Sequence, residues 1–510
     1  MSTSINEPIS PAPMTEPRPE TLPAYLSNGM IGLRVRENPL RNGVAIINGY
    51  SGRDPGTQVE ATPYAPYPLG GDLRIGATWL SEFPYAVRFI EQSYDFSRGE
   101  LHTRLTFATE GVVARIETLT FCSRTLPTLV LQEIAVEVDT ACDLALRATV
   151  DPTGIPGQML ARNVETPGSE HQIVDGSLHW ESLGAISTCG VAYITRLLGA
   201  SHPRPTYAQW HEQGPLATTY TLHAEPGKRY RLRQIASMIS STLHHAPDFQ
   251  ASRMAWLGDN RGFERLRREN REAWAELWRG RPRLHGAERR WQEMADAAFY
   301  YLHASVHPSS PSSTSPFGLA SWYTYHYYYG HIMWDLETFT YPPLALTYPT
   351  AARAMLDYRF ERLPAARSNA KMYGYLGAQF PWQSAAALGE ETSPLLSPNS
   401  VYEQHASLDV AYAFAQQAYA TGDDHFIRRR AWPVLEAVAD WITSRVVQSR
   451  RGYEILEMTG PAEDKGPVDN DAYINMAATV VLRAASECAR RVGCQPPAGW
   501  ERVASKLVIP

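Results

Sequence analysis

The sequence predicts an α+β multidomain protein in which an antiparallel β-sandwich precedes an all-α region. Before about residue 241, apolar residues alternate along short runs that Gly, Pro and Asn interrupt. After about residue 245, apolar residues recur three and four positions apart. The spacing of apolar residues changes once along the chain. We therefore divide the chain into a disordered leader at 1–20, a β-sandwich domain at 21–245, a helical linker at 246–284 and a helical domain at 285–510.

Two runs carry the strand prediction. Leu101, Thr103, Leu105 and Phe107 alternate with polar residues, and Val130, Ile134, Val136 and Val138 share one parity of residues 130–138. Turn pairs such as Asn42-Gly43 and Gly70-Gly71 separate such runs. Short alternating strands with frequent turns favour antiparallel pairing over a βαβ fold.

The helical prediction begins with a charged segment, Phe263–Arg279, which reads as an exposed helix that connects two domains. A Ser/Pro stretch at 305–316 reads as a flexible loop or a lid. Three later helices are predicted from helix-spaced stripes. The stripes are at Ala352, Met355, Leu356, Arg359 and Leu363; at Leu408, Ala411, Tyr412, Ala415 and Tyr419; and at Trp432, Leu435, Val438, Ala439 and Ile442. A last helix has its predicted buried face at Tyr473, Ala477, Val480, Val481, Ala484 and Cys488, with N-cap candidates at Asp469, Asn470 and Asp471.

Composition limits the function classes. The 510 residues carry 47 basic and 53 acidic side chains, a net charge of −6, which argues against a nucleic-acid partner. No apolar run is long enough to span a membrane, and the N-terminus lacks the apolar core of a signal peptide. Five widely spaced cysteines favour a reduced compartment, so we expect a cytoplasmic protein without disulfides.

One segment is rich in aromatic residues. Seven of the positions 322–334 are Trp or Tyr, and the segment ends at Trp334-Asp335. Aromatic faces stack on sugar rings and carboxylates accept hydrogen bonds from sugar hydroxyls, so this pair predicts a saccharide platform and clamp. The alternative is a packed aromatic segment in which Asp335 caps a helix.

A second segment places an acid on a loop. Gly460-Pro461 forms a turn, and Glu463 and Asp464 follow it shortly before the last predicted helix. A neighbouring carboxylate would raise the pKa of Glu463, as a general acid requires, while Lys465 would lower it. The alternative is a solvated acidic loop.

Together these segments resemble glycoside hydrolase family 65. The resemblance rests on Gly-His-Ile-Met-Trp-Asp at 330–335, on Gly-Ala-Gln-Phe-Pro-Trp-Gln-Ser at 377–384, on Glu-Gln-His at 403–405 and on the loop from Gly460 through Tyr473. The Asn-Gly at 28–29 resembles the opening motif of the family, and the segment 349–359 is similar to the protein-glucosylgalactosylhydroxylysine glucosidase branch. Maltose, trehalose and kojibiose phosphorylases belong to the same family.

The resemblance implies a helical domain of (α/α)6-barrel type and inversion at the anomeric carbon. It implies that Glu463 is the general acid and that substrate contacts come from Trp334, Asp335, Glu337, Trp382, Gln383, Glu403 and His405. It implies no metal or organic cofactor. The expected partner is a glucose-containing disaccharide, oligosaccharide or glycoconjugate, with phosphate as a second substrate if the protein is a phosphorylase. A homodimer is compatible with the resemblance, although no sequence feature shows an interface.

The sequence departs from the family pattern in two respects. Ala462, Asp464, Lys465 and Gln383 replace the family's usual residues at those positions. The family's catalytic base and phosphate-binding loop follow the general acid at a distance, so we expect a C-terminally truncated, partial barrel. Glu337 or Asp335 would then have to substitute for the base.

Three functions remain open from the sequence. The first is an inverting α-glucosidase that uses water, and the second is an inverting disaccharide phosphorylase that uses inorganic phosphate. The third is a non-catalytic, glucoside-binding or vestigial relative.

Overall fold

The computed structural model describes residues 24–164, 173–208, 214–320, 327–393 and 398–510. The predicted leader at 1–20 and the first part of the aromatic segment, at 322–326, lie outside the described residues. The chain divides into two units. One comprises residues up to Pro55 with Pro63–Ser309 and Phe317–Tyr327, and the other comprises Gly56–Thr62, Ser310–Pro316 and Tyr328–Pro510.

Strands dominate the described chain up to residue 240. They are Ala24–Ser27 (β1), Ile31–Val35 (β2), Val44–Ile47 (β3), Gly52–Arg53 (β4), Glu60–Ala61 (β5), Tyr67–Ile75 (β6), Thr78–Trp79 (β7), Val87–Asp95 (β8), Glu100–Thr109 (β9), Val112–Cys122 (β10), Leu129–Val138 (β11), Cys142–Asp151 (β12), Gly157–Val164 (β13), Gly176–Ser182 (β14), Thr188–Leu198 (β15), Pro205–Tyr207 (β16), Leu216–Ala224 (β17) and Arg229–Ser240 (β18).

These strands form the predicted antiparallel sandwich. An eight-stranded sheet has the order β13-β14-β15-β18-β11-β10-β9-β8, and a five-stranded sheet has the order β16-β17-β12-β6-β7. Strand β9 buries Leu101, Leu105 and Phe107, as its alternation predicts. Side chains from both sheets, such as Ile134 and Leu146, share one apolar core.

Strand β11 is buried on both faces because two helices, Pro247–Arg261 (α1) and Phe263–Trp278 (α2), pack on the side of its sheet that turns away from the sandwich core. A third helix, Arg289–Ala304 (α3), instead contributes Phe299, Tyr300 and Ala304 to the sandwich-core cluster. Phe263 and Leu266 of α2 pack against Leu129 and Leu131 of β11. The segment predicted as an exposed connecting helix therefore buries one face on the sheet.

The second unit is helical. Its helices are Tyr341–Thr347 (α4), Pro349–Glu361 (α5), Leu363–Met372 (α6), Pro398–Tyr402 (α7), Ala406–Thr421 (α8), Asp424–Phe426 (α9), Trp432–Arg445 (α10), Ala472–Val492 (α11) and Ala498–Lys506 (α12), with short strands at Ile332–Met333 (β19), Gln383–Ser384 (β20), Val447–Gln448 (β21) and Tyr453–Glu454 (β22).

Local chemistry sets the ends of these helices. The Asp471 side chain accepts a hydrogen bond from Ile474 N and so caps α11, which selects one of the three predicted N-cap candidates. Gly422 and Gly493 end α8 and α11 in the left-handed conformation that favours glycine. Gly377 has a φ of +70°, and a Cβ at this position would lie 1.9 Å from the Ala437 carbonyl oxygen on α10. That close approach fixes the loop that leads into β20.

Three sequence predictions about surfaces differ from the structure. The Ser/Pro stretch is not an exposed flexible loop, since Ser312, Ser313 and Ser315 are buried, and the lid alternative stays a prediction. The buried face of α11 is centred on Ile474, Ala478, Val481, Leu482 and Ala485, while Tyr473 and Val480 are exposed. Tyr412 and Tyr419 on α8 are exposed as well.

Candidate active site

A two-stranded ladder positions the two tryptophans of the site. Ile332 and Met333 of β19 pair with Ser384 and Gln383 of β20. Trp334 follows the first strand and Trp382 precedes the second, so the pairing brings the two indoles to the same end of the ladder. Both indoles are buried in one cluster with Met333 and Ala406.

Asp335 and Glu337 follow Trp334 but lie in different environments. Arg359 on α5 donates to both carboxylate oxygens of Glu337, at 2.8 and 2.9 Å, and to the Met333 carbonyl oxygen at 3.2 Å. The Glu337 and Arg359 side chains are each 1% exposed. Glu337 therefore anchors the Trp334 segment, and its oxygens are already occupied. Burial raises the pKa of Asp335 above its ordinary value.

The Glu463 loop is tied to the segment that precedes α8. Thr459 N donates to the Tyr402 carbonyl oxygen at 3.0 Å, and Asn399 Nδ2 donates to Glu463 Oε2 at 3.2 Å. Arg445 on α10 bridges the same two segments, since it donates to Gln404 Oε1 and to the Leu456 carbonyl oxygen. These ties join the loop of the exposed Glu463 to the segment of the buried Glu403, and the two carboxyl groups interact electrostatically.

The loop holds its shape through its own backbone. Met458 and Val468 exchange two backbone hydrogen bonds, at 3.1 and 2.9 Å. Gly460 leaves no room for a side chain, because a Cβ there would lie 2.9 Å from Asp471, the cap of α11. The turn at Gly460 therefore lies close against the Asp471 side chain, while Glu463 is exposed on the loop.

A chain of hydrogen bonds orients His405 at the start of α8. Asp409, one helical turn later, accepts from His405 Nδ1 at 2.7 Å. The other Asp409 oxygen accepts from the Tyr473 hydroxyl. A carboxylate only accepts, so His405 carries a proton on Nδ1 and turns Nε2 toward Glu403, whose Oε2 lies 4.0 Å away.

Several buried polar atoms around this point lack a hydrogen-bond partner in the described part of the chain. They are Trp334 Nε1, Trp382 Nε1, His405 Nε2 and both carboxyl oxygens of Glu403. The Trp382 indole and Glu463 both act on the Glu403 charge, although neither meets the geometry of a hydrogen bond to it. Buried polar groups are normally satisfied, so an unsatisfied set in one place indicates a position for a polar ligand.

The electrostatics of the two adjacent glutamates follow from burial and from each other. Burial and then the Glu463 carboxyl raise the pKa of Glu403 well above its ordinary value. Burial and then Asp335 raise the pKa of Glu463. A raised pKa favours the protonated form of the carboxyl group, which a general acid requires.

Gln383 is buried, and His331 contacts its side chain. His331 Nδ1 lies 2.9 Å from Gln383 Oε1, and His331 Nε2 donates to the Glu60 carbonyl oxygen at 2.7 Å. The Glu60 carboxylate accepts from the backbone N–H groups of Ala387 and Leu388. Glu60 thus supports the chain on both sides of the short ladder.

The structure gathers Trp334, Trp382, Glu403, His405 and Glu463 into one site, and Asp335 acts on Glu403 and Glu463 through its charge. Four residues that position this set, namely Arg359, Asn399, Asp409 and Tyr473, are not predicted as site residues from the sequence, which places Arg359 and Tyr473 only on helix faces. For Asp409 a signal existed, because His and Asp four residues apart share one face of a helix. Arg359 had no such signal, since its partner Glu337 is remote in sequence.

Comparison with known proteins identifies the family. The N-terminal domain model of glycosyl hydrolase family 65 matches residues 12–277, and the central catalytic domain model of the same family matches residues 298–506. The chain belongs to glycosyl hydrolase family 65. This confirms the family resemblance and places Trp334 through Glu463 within the catalytic-domain match.

Two curated relatives illustrate the similarity. A kojibiose hydrolase from Flavobacterium johnsoniae is 35% identical over 294 residues, which are 58% of this chain and 42% of that protein. A protein-glucosylgalactosylhydroxylysine glucosidase from Gallus gallus is 36% identical over 256 residues, which are 48% of this chain and 36% of that protein. The matches therefore span less than half of these relatives' length.

A solved structure confirms the fold. A candidate kojibiose phosphorylase from the human microbiome superposes with a TM-score of 0.77 at 16% identity, covering 95% of this chain and 67% of that one. Among the described residues, no helix is long and apolar enough to cross a bilayer. The same residues include no group of three or more His, Cys, Asp or Glu side chains arranged to hold a metal ion.

Proposed function

We propose that this protein is an inverting glycoside hydrolase that releases glucose from α-glucosides, with Glu463 as the general acid. The observation that carries the proposal is the set of unpartnered buried polar atoms beside Glu463. Both relatives described above are named as hydrolases of glucose-containing substrates. These names favour hydrolysis, and a disaccharide or glycoconjugate substrate, over a binding role alone.

The unpartnered atoms match a sugar ring chemically. The indole N–H groups of Trp334 and Trp382 donate to hydroxyl oxygens, while Glu403 and Asp335 accept from hydroxyl groups. An apolar ligand would leave these groups unsatisfied, at a cost of about 1–3 kcal/mol each. A glucose ring presents hydroxyls around its rim and C–H groups on its faces, so it suits the indole-lined wall.

In the proposed reaction, Glu463 gives its proton to the glycosidic oxygen as the bond to the anomeric carbon breaks. Asn399 holds Glu463 Oε2, so the other oxygen carries the proton toward the leaving group. An inverting enzyme also needs a carboxylate about 6.5–9.5 Å from the acid to leave room for water. Glu403 is adjacent to Glu463, and Glu337 is held by Arg359, so we assign neither to the activation of water.

Gln383 and His405 complete the proposed substrate shell. His405 turns Nε2 into the site, and Gln383 sits at the end of the β19–β20 ladder. For Glu337 we propose an anchoring role instead of substrate contact, because both of its oxygens are occupied by Arg359. We also propose a cytoplasmic location, on the basis of five unpaired cysteines, three of them buried.

The test is turnover of kojibiose and other α-glucosides by the protein and by Glu463→Gln. We expect free glucose in plain buffer, and a loss of about 10²-fold or more in kcat/KM for the variant. Glu457→Gln, an exposed glutamate on the same loop, is the matched control and should retain activity.

Three other outcomes would contradict the proposal. Glucose 1-phosphate that forms only with added phosphate would identify a phosphorylase. Equal rates for wild type and Glu463→Gln would remove the acid from the mechanism. Binding of α-glucosides without any turnover would leave a binding protein.

A further inference from the structure

We propose that Asp409 and Tyr473 are positioning residues that fix the imidazole of His405, so that its Nε2 atom accepts a hydrogen bond from one hydroxyl group of the sugar. The inference rests on the proposed function and deepens it, because it names the part of the substrate that this point of the site recognises. That part is an unmodified hydroxyl group, which a deoxy, fluoro or methoxy substituent cannot replace because none of them has a proton to donate.

The first support is the way in which two helices hold His405. His405 and Asp409 lie one turn apart at the start of α8, where Asp409 N donates to the His405 carbonyl oxygen at 3.1 Å and the Asp409 carboxylate accepts from Nδ1 at 2.7 Å. The hydroxyl group of Tyr473, in the first turn of α11, donates to the other Asp409 oxygen. Both oxygens of Asp409 are therefore engaged, and the carboxylate cannot turn away from the ring without losing one of these bonds.

The second support is the packing of the imidazole itself. Its ring is buried and meets two aromatic rings edge to face, with ring centroids 4.9 Å apart for Trp334 and 5.7 Å apart for Tyr473. A flip of the ring that exchanged Nδ1 and Nε2 would break the bond to Asp409. When the imidazole carries one proton, that proton is therefore on Nδ1, and Nε2 presents a lone pair to the site.

The third support is an unfilled hydrogen-bonding point next to Nε2. His405 Nε2 and Glu403 Oε2 are buried, have no hydrogen-bond partner among the described residues and lie 4.0 Å apart, which is too far for a direct bond. An oxygen atom about 2.8 Å from each of them would bridge the two. A sugar hydroxyl group fits this point, since it donates to Nε2 and accepts from a protonated Glu403, the form that burial favours by raising the pKa of Glu403.

The test measures the affinity of the protein for glucose and for glucose analogues in which one hydroxyl group at a time is replaced by hydrogen or by fluorine. Fluorine has lone pairs but no proton, so an analogue fluorinated at the recognised position cannot donate to His405. We expect both replacements at one ring position to weaken binding about tenfold. At positions that face an indole N–H group, fluorine should weaken binding less than hydrogen does. Calorimetric titration measures these losses of affinity.

The variant Tyr473→Phe separates positioning from a general effect on stability. It removes the hydroxyl group but keeps the ring beside His405, so the loss at the recognised position should fall from about tenfold to about threefold or less, while the losses at the other positions stay as in wild type. Tyr341→Phe is the matched control, because the Tyr341 hydroxyl donates to a different side chain of α8, Gln417, at 2.6 Å. It should leave every loss unchanged.

A second readout does not require sugar binding. Nuclear magnetic resonance of nitrogen-labelled histidine, with His405→Gln to identify the signal, should show the single proton of His405 on Nδ1 in wild type and a mixture of tautomers in Asp409→Ala. A proton on Nε2 in wild type would overturn the inference, as would a pattern of losses that Tyr473→Phe leaves unchanged. Equal binding of all analogues would overturn it too, because water would then fill this point. If no glucose binds and no α-glucoside is turned over, the proposed function fails, and the tautomer measurement alone decides the positioning role.

Discussion

Two glutamates of the helical unit, Glu337 and Glu403, are equally buried but differ in their surroundings. Arg359 occupies both oxygens of Glu337. Glu403 has no hydrogen-bond partner among the described residues and lies beside another carboxyl group. Burial alone therefore does not distinguish a scaffold carboxylate from a functional one. The difference lies in whether the protein itself satisfies the group.

The two glutamates show that the helical unit contains one buried carboxyl group that is stabilised by the protein and one that is energetically unfavourable in the free protein. A buried carboxylate with a bidentate guanidinium is self-contained, and losing one partner strands the other. An unsatisfied buried carboxyl group lowers the stability of the free protein. A ligand that forms hydrogen bonds with this group removes the penalty. We infer that the Glu337–Arg359 pair supports the Trp334 segment, whereas Glu403 itself lines the candidate site.

The largest expected effect concerns the Glu337 pair. Arg359→Met should lower the free energy of unfolding by about 3–5 kcal/mol, because it leaves a buried, unpaired carboxylate. Chemical denaturation measures this loss. Arg279→Ala, which breaks an exposed pair with Glu276, is the control and should change stability by less than about 1 kcal/mol. A loss no larger than the control's would mean that Glu337 is not an anchor.

A pH-dependent effect is expected at Glu403. Its folded-state pKa is raised above the unfolded value, so the folded state binds the proton more tightly. The stability that this proton supplies is fully present below the unfolded pKa and is lost as pH rises toward the folded pKa. Wild type should therefore lose about 1.4 kcal/mol for each unit by which the pKa is raised, and Glu403→Gln should not.

Denaturation curves from pH 4 to pH 9, at roughly one-unit steps, would measure this difference. Parallel stability curves for wild type and Glu403→Gln would contradict the description of Glu403 as an unsatisfied, proton-retaining group. They would also remove the contrast with Glu337.

The smallest expected effect concerns sugar binding and stability in variants of two tryptophans. Trp382→Phe removes an indole N–H that has no partner in the described chain, so it should leave stability nearly unchanged and weaken sugar binding by about 0.5–1.5 kcal/mol. Trp441→Phe removes an indole that donates to Gln379 Oε1 at 3.1 Å. That variant should lose about 1–3 kcal/mol of stability and keep its sugar affinity. Calorimetric titration with glucose, beside denaturation, separates the two, and a reversed pattern would contradict the assignment.

Much of the fold was accessible from the sequence. Strand alternation at Leu101–Phe107 and the capping residue Asp471 are local signals, and both predictions are confirmed. The face of α11 was predicted incorrectly because two adjacent stripes of this helix are apolar. Local periodicity cannot decide which of them meets α8, α10 and α12, and tertiary packing made that choice.

The candidate site could be predicted only in part from the sequence, for a similar reason. Trp334, Asp335 and Glu463 stand in recognisable segments, and their roles stay predictions until tested. The partner that occupies Glu337 comes from α5, and the ties around Glu463 come from Asn399 and Arg445, which are distant in sequence. Such pairings depend on the fold, so a single sequence without structure does not reveal them.

The most direct test of the central claim is a crystal structure of the Glu463→Gln variant with kojibiose. We predict that a glucose ring lies against Trp334, with its hydroxyl groups within hydrogen-bond distance of Glu403 and the Trp382 indole, and with the glycosidic oxygen next to residue 463. A sugar bound elsewhere, or a site in which Glu403 and the two indoles remain unpartnered at saturating kojibiose, would contradict the account.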